Sequence, residues 1–171
     1  MGSIGSSDTS RILSDALLLS QLTNQRQHVL QAVDGLAEAA MQRAMIPSGW
    51  TITRLLNHLA FDNEMFWISA VVGADEKAIA AVHNGWASEP ITGAEAVDVY
   101  RQQIARSDEV LARIDLDAPP LWTPPSNVFD APLMGDAREV VFRVLGETSV
   151  HAGHLDIVRE LLDGHQHLVV G

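Results

Sequence analysis

The 171-residue sequence contains no cysteine, which excludes both a disulfide framework and a thiol nucleophile supplied by the protein itself. Basic residues are also few, 11 lysines and arginines against 22 acidic residues, and the formal net charge is −11. Without an excess of positive charge we expect binding neither to nucleic acid nor to an anionic membrane surface. The sequence has no apolar run long enough to predict a transmembrane helix.

The first residues are small and polar, and they lack the basic and apolar regions of a signal peptide. Together with the absence of cysteine, this favours a cytoplasmic protein. Residues 1–9 are predicted to form a flexible tail, residues 10–164 a single domain, and residues 165–171 a C-terminal tail. Hydrophobic residues make up 47% of the chain, which suits one full-sized core.

Apolar residues recur at three- and four-residue steps along four segments, which is the spacing of amphipathic helices. The first helix is predicted from about Ser10 to Ala44, with a break near Leu19 to Thr23. The others are predicted at Trp50 to Val72, Thr92 to Ile114 and Asp136 to Leu162. No segment has a convincing strand pattern. We therefore expect an all-α fold, a four-helix bundle with long connectors after helices 2 and 3.

The two long connectors are predicted to be loops that carry aromatic residues. The first, residues 73–90, includes one short turn around Lys77 to His83. The second, residues 115–135, contains five prolines that exclude a regular helix, and Phe129 within it indicates packing onto the bundle. Four tryptophans are candidate pocket walls, with ordinary packing as the alternative: Trp50, Trp67, Trp86 and Trp122.

The segment Glu147-Thr-Ser-Val-His151-Ala-Gly-His154 places three metal-capable side chains on the fourth helix. At roughly 100° per residue, these side chains project within about 60° of one another. They interrupt an apolar stripe formed by Val140, Val144, Val158 and Leu161. A carboxylate on such a face needs a partner, because removing it from water is unfavourable. The partner is either a divalent metal ion or another side chain in a polar core network.

Other histidines and charged residues have weaker signals. His58 lies at the edge of the apolar stripe of the second helix with Asp62 one turn later, a spacing that suits either a metal ligand with its orienting carboxylate or a packed core histidine. Asp156 and Arg159 are predicted to form a structural ion pair, or else to support the site from behind. The remaining histidines are interpreted as surface, packing or tail residues: His28, His165 and His167.

Two motifs resemble the signatures of the DinB-like superfamily. Pro47-Ser-Gly-Trp-Thr51, followed by Leu55-Leu-Asn-His-Leu-Ala60, resembles the signature of its second helix. The segment from Gly146 to Gly164 resembles the signature of its last helix. The resemblance extends from about residue 19 to residue 164. It is strongest to the branch of thiol-dependent enzymes that includes mycothiol-dependent maleylpyruvate isomerase and mycothiol S-transferases.

This resemblance implies a four-helix bundle that holds one divalent metal ion, with His58, Glu147 and His151 as its ligands. It places His154 at the rim of the site, where we take it as the candidate catalytic residue that passes a proton or binds a polar group of a ligand. Two histidines and one glutamate leave coordination positions open, as in catalytic sites. Zinc is the metal expected first, and nickel, iron(II) or manganese also suit these ligands.

The activity implied is activation of a low-molecular-weight thiol, mycothiol or a similar cosubstrate, for S-transfer to a small electrophile or for thiol-assisted isomerisation. A bound metal lowers the pKa of a coordinated thiol, so the cosubstrate supplies the sulfur that the protein lacks. The isomerase carries an additional C-terminal domain that does not follow the bundle here, which favours S-transfer. The alternatives are a non-catalytic metal- or ligand-binding protein associated with stress and a hydrolase that uses metal-bound water. We expect a monomer or homodimer with small-molecule partners.

Overall fold

The computed structural model describes residues 6–85, 92–130 and 133–167, and for residues 6–8 and 83–85 it describes the backbone alone. Within these ranges the chain forms helices and no β-strand, so the predicted all-α fold is confirmed. The helices are α1 (Ser6–Val33), α2 (Glu38–Met41), α3 (Ile52–His58), a π-helix (Leu59–Val72) that continues α3, α4 (Glu76–Gly85), α5 (Gly93–Leu111) and α6 (Ala137–Asp163). No described helix is long and apolar enough to cross a membrane.

The first long helix, α1, differs from the prediction at both ends. It begins at Ser6, runs without the predicted break and ends at Val33. Gly35 follows with a φ of +72°, a left-handed conformation that glycine adopts without steric cost. The predicted continuation to Ala44 is therefore wrong, and only the single turn of α2 forms in that region.

The second long helix occupies the centre of the bundle and changes type along its length. The Thr51 side chain caps α3 by accepting a hydrogen bond from the Arg54 backbone N–H. After His58 the chain continues as a π-helix, in which each backbone N–H bonds to the carbonyl five residues earlier. Almost all side chains of this π-helix are buried, because α4, α5 and α6 pack against it. π-Helical turns are rare in proteins, but those that occur are often found at functional sites. This one begins immediately after His58.

The ends of α5 and α6 follow the capping signals in the sequence. Thr92 and Glu95 form the predicted capping box, each side chain accepting a hydrogen bond from the other residue's backbone N–H. The Asp136 side chain caps α6, and Gly164 ends it with a φ of +76°. On the apolar stripe predicted for α6, Leu161 is 54% exposed, whereas the three valines of that stripe are buried.

The two long connectors are more ordered than predicted. The first contains α4 where only a short turn was predicted; the Trp86 residue and the His83 side chain lie outside the described residues. The second packs onto the bundle. Its Trp122 backbone N–H donates to the Val71 carbonyl at 3.1 Å, and the Phe129 ring meets the indole of Trp67 edge-on with centroids 4.9 Å apart. This loop covers the core, as its aromatic residues indicated.

The packing of the long helices determines which side chains can meet. Along its length α6 contacts both α1 and the π-helix, and the π-helix in turn contacts α5. The middle of α6 therefore lies beside the junction between α3 and the π-helix, where His58 is located.

Candidate metal centre

His58, Glu147 and His151 converge in the folded chain, each with a ligand-capable atom within 4.8 Å of the others. His58 is the last residue of α3, whereas Glu147 and His151 lie one turn apart on α6. Their side chains are 39%, 40% and 20% exposed, respectively. The cluster thus forms where the end of α3 meets the middle of α6, and it remains open to solvent on one side, so that a small molecule can reach it.

Asp62 orients the imidazole of His58. Nδ1 of His58 lies 2.8 Å from Oδ2 of Asp62, whose side chain is only 15% exposed. An ionised carboxylate only accepts hydrogen bonds, so this contact assigns the imidazole proton to Nδ1. The lone pair of Nε2 then remains available, which is the arrangement by which a carboxylate prepares a histidine for metal binding.

His151 is held in the form that can donate a lone pair. Burial lowers the pKa of His151, and the neighbouring His58 lowers it further, against the opposite influence of Glu147. The neutral imidazole that results is the form that binds metal ions. Nε2 of His151 lies 3.6 Å from Oε2 of Glu147, which is longer than a hydrogen bond. It is close to the separation of about 3.4 Å between two ligand atoms that lie 2.1 Å from one tetrahedral ion.

Glu147 has only a loose contact with a cation of the protein. Its Oε1 lies 4.0 Å from the guanidinium of Arg143. That guanidinium is placed over the Trp67 ring, 4.6 Å from its centroid, so the arginine is held mainly by the aromatic face. The carboxylate is therefore free to bind another cation.

His154 lies beside the cluster and not within it. Its Nδ1 is 3.4 Å from Nδ1 of His151, and its exposed ring lies 6.2 Å from the ring of Trp50. His154 therefore lies next to the cluster on its exposed side, and its role at the rim of a site stays a prediction of the family resemblance.

A cavity of about 270 Å³ opens next to the cluster, lined by Trp50, Arg54, Leu55, His58 and His151. Its surface is mainly apolar, with the two imidazoles and one guanidinium as its polar groups. A concave apolar site with a few convergent polar groups is the usual form of a small-molecule site.

The tryptophans predicted as candidate walls have different roles. Trp50 lines the cavity, whereas Trp67 is 3% exposed and belongs to the core. Trp122 packs near Phe66, with ring centroids 6.4 Å apart. Only Trp50 therefore lies at the site among the tryptophans that the structure describes.

The family model of the mycothiol-S-transferases matches residues 17–164. The chain belongs to the mycothiol-S-transferase family. This family is DinB-like, and its membership confirms the resemblance carried by the second-helix and last-helix motifs. No curated protein and no solved structure matches the sequence.

The residues of this mycothiol-S-transferase family member fit the divalent metal ion that the DinB-like resemblance implies. The cluster offers two imidazoles and one carboxylate, a donor set common at catalytic zinc sites. His58 is oriented by Asp62, His151 is neutral, and Glu147 has no close partner among the described cations. The same set also suits nickel, iron(II) and manganese.

The predicted ion pair between Asp156 and Arg159 is wrong. Arg159 donates from Nε to Asp163 at 2.8 Å, whereas Asp156 contacts His28 at the same distance. Both residues face α1, because α1 packs along this side of α6. They therefore do not support the metal centre from behind.

Sequence reasoning missed the side chains that connect the π-helix to α6 below the site. Nδ2 of Asn63 donates to the Val144 carbonyl at 3.2 Å and lies 3.0 Å from Oγ1 of Thr148. All three residues are buried. The available signal was a polar triplet, Asp62, Asn63 and Glu64, within an otherwise nearly apolar run.

Proposed function

We propose that this protein is a metal-dependent transferase that activates a low-molecular-weight thiol, mycothiol or a similar compound, and joins it to a small electrophile. The observation that carries the proposal is the convergence of His58, Glu147 and His151 beside an open cavity in a mycothiol-S-transferase family member. A divalent ion held by these residues, most simply zinc, supplies Lewis acidity that lowers the pKa of a coordinated thiol.

The charges of the three side chains suit an anionic sulfur ligand. Two neutral imidazoles and one carboxylate carry one negative charge between them, which is less than the charge of a divalent cation. With a divalent ion held by these three side chains, the remaining positive charge would favour a thiolate over a neutral thiol. Asp62 holds the His58 ring in orientation without adding a further ligand.

The cavity supplies the surfaces on which the two substrates are oriented. Trp50 and Leu55 offer an apolar wall for a carbon skeleton, and the guanidinium of Arg54 is suited to a carboxylate or another oxygen-rich group. Holding the sulfur and the electrophilic carbon at contact distance lowers the entropic part of the barrier.

His154 is the proposed proton carrier. In the transfer step the thiol sulfur bonds to the electrophilic carbon, and the thiol proton passes to the His154 imidazole and from there to solvent. In a substitution the bond from that carbon to the leaving group breaks, and the leaving group departs with the electron pair. In epoxide opening the released oxygen, and in addition to an activated alkene the neighbouring carbon, takes the electron pair and accepts a proton in return. His154 is suited to this role because it is exposed and lies next to the cavity that Trp50 and His151 line.

The test is conjugation of mycothiol to a panel of alkyl halides, epoxides and activated alkenes, using untagged protein reconstituted with zinc. We expect turnover that a chelator abolishes and added zinc restores. His151→Ala should abolish turnover, whereas His165→Ala, an exposed histidine outside the cluster, should retain it. Conjugation that is indifferent to the chelator would contradict the proposal.

The cobalt-substituted protein separates thiol activation from the alternatives. We expect mycothiol to produce a sulfur-to-cobalt charge-transfer band in the wild-type protein and not in His151→Ala. If the spectrum is unchanged and the protein hydrolyses esters without thiol in a chelator-sensitive reaction, the hydrolase hypothesis would replace S-transfer. An unchanged spectrum without any turnover would favour the non-catalytic binding protein.

A further inference from the structure

A second cluster of histidine and carboxylate side chains lies on another face of α6. His28 of α1, Asp156 of α6 and His167 after the end of α6 each place a ligand-capable atom within 4.8 Å of the others. Nε2 of His28 lies 2.8 Å from Oδ1 of Asp156, and the ring of His167 stacks on that of His28 with centroids 3.9 Å apart. All three side chains are partly buried. Three separate segments of the chain thus contribute to one polar cluster.

This cluster is separate from the candidate metal centre. Asp156 follows His151 by five residues, which places it about 140° around the helix axis and about 7.5 Å along it. His151 therefore faces α3, whereas Asp156 faces α1. The two clusters share the scaffold of α6 and no side chain.

Local hydrogen bonds direct the chain after α6 back towards α1. Gly164 reverses its direction with a φ of +76°. The His165 backbone N–H donates to Oδ1 of Asp163 at 3.0 Å, and Nε2 of Gln166 donates to Oε1 of Glu160 at 2.7 Å. These bonds hold the segment against the end of α6, so the position of His167 is supported by its neighbours.

The nearby cation Arg159 is already bonded elsewhere and does not neutralise Asp156. Its Nε donates to Asp163, and its NH1 donates to the backbone carbonyls of Ala32 and Asp34 at 2.9 Å each. Asp156 therefore presents its negative charge to the two imidazoles. One carboxylate and two imidazoles form a donor set for a divalent transition metal.

We propose that His28, Asp156 and His167 form a second divalent-metal site that fastens the C-terminal segment to α1. The present 2.8 Å separation of His28 and Asp156 is shorter than the roughly 3.4 Å of two ligands on a tetrahedral ion. A small rotation of the side chains would exchange their hydrogen bond for two coordination bonds, and water would complete the coordination. The role of the site is structural, because the cluster joins a terminal segment to the bundle.

The test counts bound zinc in untagged protein that has been stripped with a chelator, dialysed against zinc and analysed for metal. We expect two ions per chain in the wild-type protein and one in either His28→Ala or His167→Ala. His165→Ala is the matched control on the same segment and should retain two. Removing the first cluster with His58→Ala and His151→Ala should also leave one, and combining these changes with His28→Ala should leave none.

The stoichiometries distinguish this proposal from the proposed function. One ion in the wild-type protein that disappears in His58→Ala/His151→Ala would overturn the second site. One ion that instead disappears in His28→Ala would support the second site and refute the first. As a readout independent of stoichiometry, the imidazole NMR signals of His28 and His167 should shift together when zinc is added to His58→Ala/His151→Ala. Unchanged signals in that folded variant would overturn the second site.

Discussion

Arg26 and Glu64 form a charged pair inside the same bundle that presents His58, Glu147 and His151 to solvent. Two nitrogens of Arg26 donate to the two oxygens of Glu64 at 2.7 and 2.5 Å, and the side chains are 3% and 0% exposed. The cluster of His58, Glu147 and His151, called the open cluster below, differs from this pair. Nε2 of His151 lies 3.6 Å from Oε2 of Glu147, and the Glu147 side chain is 40% exposed. Arg26 and Glu64 satisfy each other through two parallel hydrogen bonds, so neither has an atom available to a ligand. The open cluster leaves its donor atoms available.

The environment of the buried pair reinforces this difference. Burial is the largest single influence on the pKa of Arg26 and lowers it, but Glu64, Asp108 and Tyr100 together raise it above its usual value, so the arginine stays charged. The Tyr100 hydroxyl next to the pair has a raised pKa, because burial and then the Glu64 carboxylate disfavour the phenolate. The buried pair is thus a fixed structural element, since two short hydrogen bonds join the side chains without any outside ligand.

The largest expected effect comes from breaking the buried pair. Glu64→Ala should destabilise the protein by about 3–5 kcal/mol in urea unfolding, because it leaves Arg26 charged in the core. Replacing both residues, as Arg26→Met with Glu64→Leu, should recover most of that loss. Asp108→Asn is the control: Asp108 also contacts Arg26 but is 58% exposed, so its loss should be below about 1 kcal/mol. A loss of under about 1 kcal/mol for Glu64→Ala would show that the pair is not structurally important.

The open cluster should respond to metal where the buried pair does not. At a free zinc concentration of about 100 times Kd, binding should stabilise the protein by about 2.7 kcal/mol. The measurement is urea unfolding with and without zinc in a His167→Ala background, which removes the contribution of the second site. Adding His58→Ala to that background should eliminate the gain. Equal stabilisation in both proteins would mean that His58 is not a ligand.

Removing the carboxylate that orients His58 should weaken the centre without abolishing it. Asp62→Asn should reduce zinc affinity about 10- to 100-fold, measured by competition with a chromophoric chelator. The same His167→Ala background isolates the first site. Asp98→Asn is the matched control, because Asp98 is an exposed aspartate that pairs with Arg101 on α5. If the Asp62→Asn variant binds zinc as tightly as the Asp98→Asn control, Asp62 does not orient His58 for metal binding.

The smallest effect is expected for Glu147→Gln in the absence of metal. Because Glu147 is 40% exposed and its contacts are 3.6–4.0 Å long, the free energy of unfolding should change by less than about 0.5 kcal/mol in urea. A loss comparable to that of Glu64→Ala would instead make the cluster a closed polar network, which is the alternative that the spacing on α6 left open.

Features encoded within one helix could be predicted, because side chains four residues apart lie on the same face. The contact between His58 and Asp62 and the shared face of Glu147 and His151 both follow from this spacing. The capping box at Thr92 could also be predicted, because the signal lies within one turn of the chain. Membership of the DinB-like group followed from two motifs of the same local kind.

Features that join distant segments could not be predicted from the spacing of residues along the chain, and the meeting of His58 with α6 was expected only from the family resemblance. Arg26 and Glu64 are 38 residues apart, and neither lies in a recognisable motif. The contact between His28 and Asp156 spans 128 residues, and with it the predicted pairing of Asp156 with Arg159 proved wrong. The end of α1 was missed because the apolar periodicity continues past Gly35, whereas the left-handed backbone there stops the helix.

The sequence by itself determined the helical class, the capped starts of α5 and α6 and the shared face of Glu147 and His151 on α6, because hydrophobic periodicity and capping act over a few residues. Only the tertiary structure decided which polar side chains bond to each other in the core and which remain available to a ligand. That outcome depends on how the helices pack: α1 places Arg26 directly against Glu64, while α3 brings His58 only to within coordination distance of α6. The sequence supplied the donor atoms, and the packing of the bundle set the distances between them.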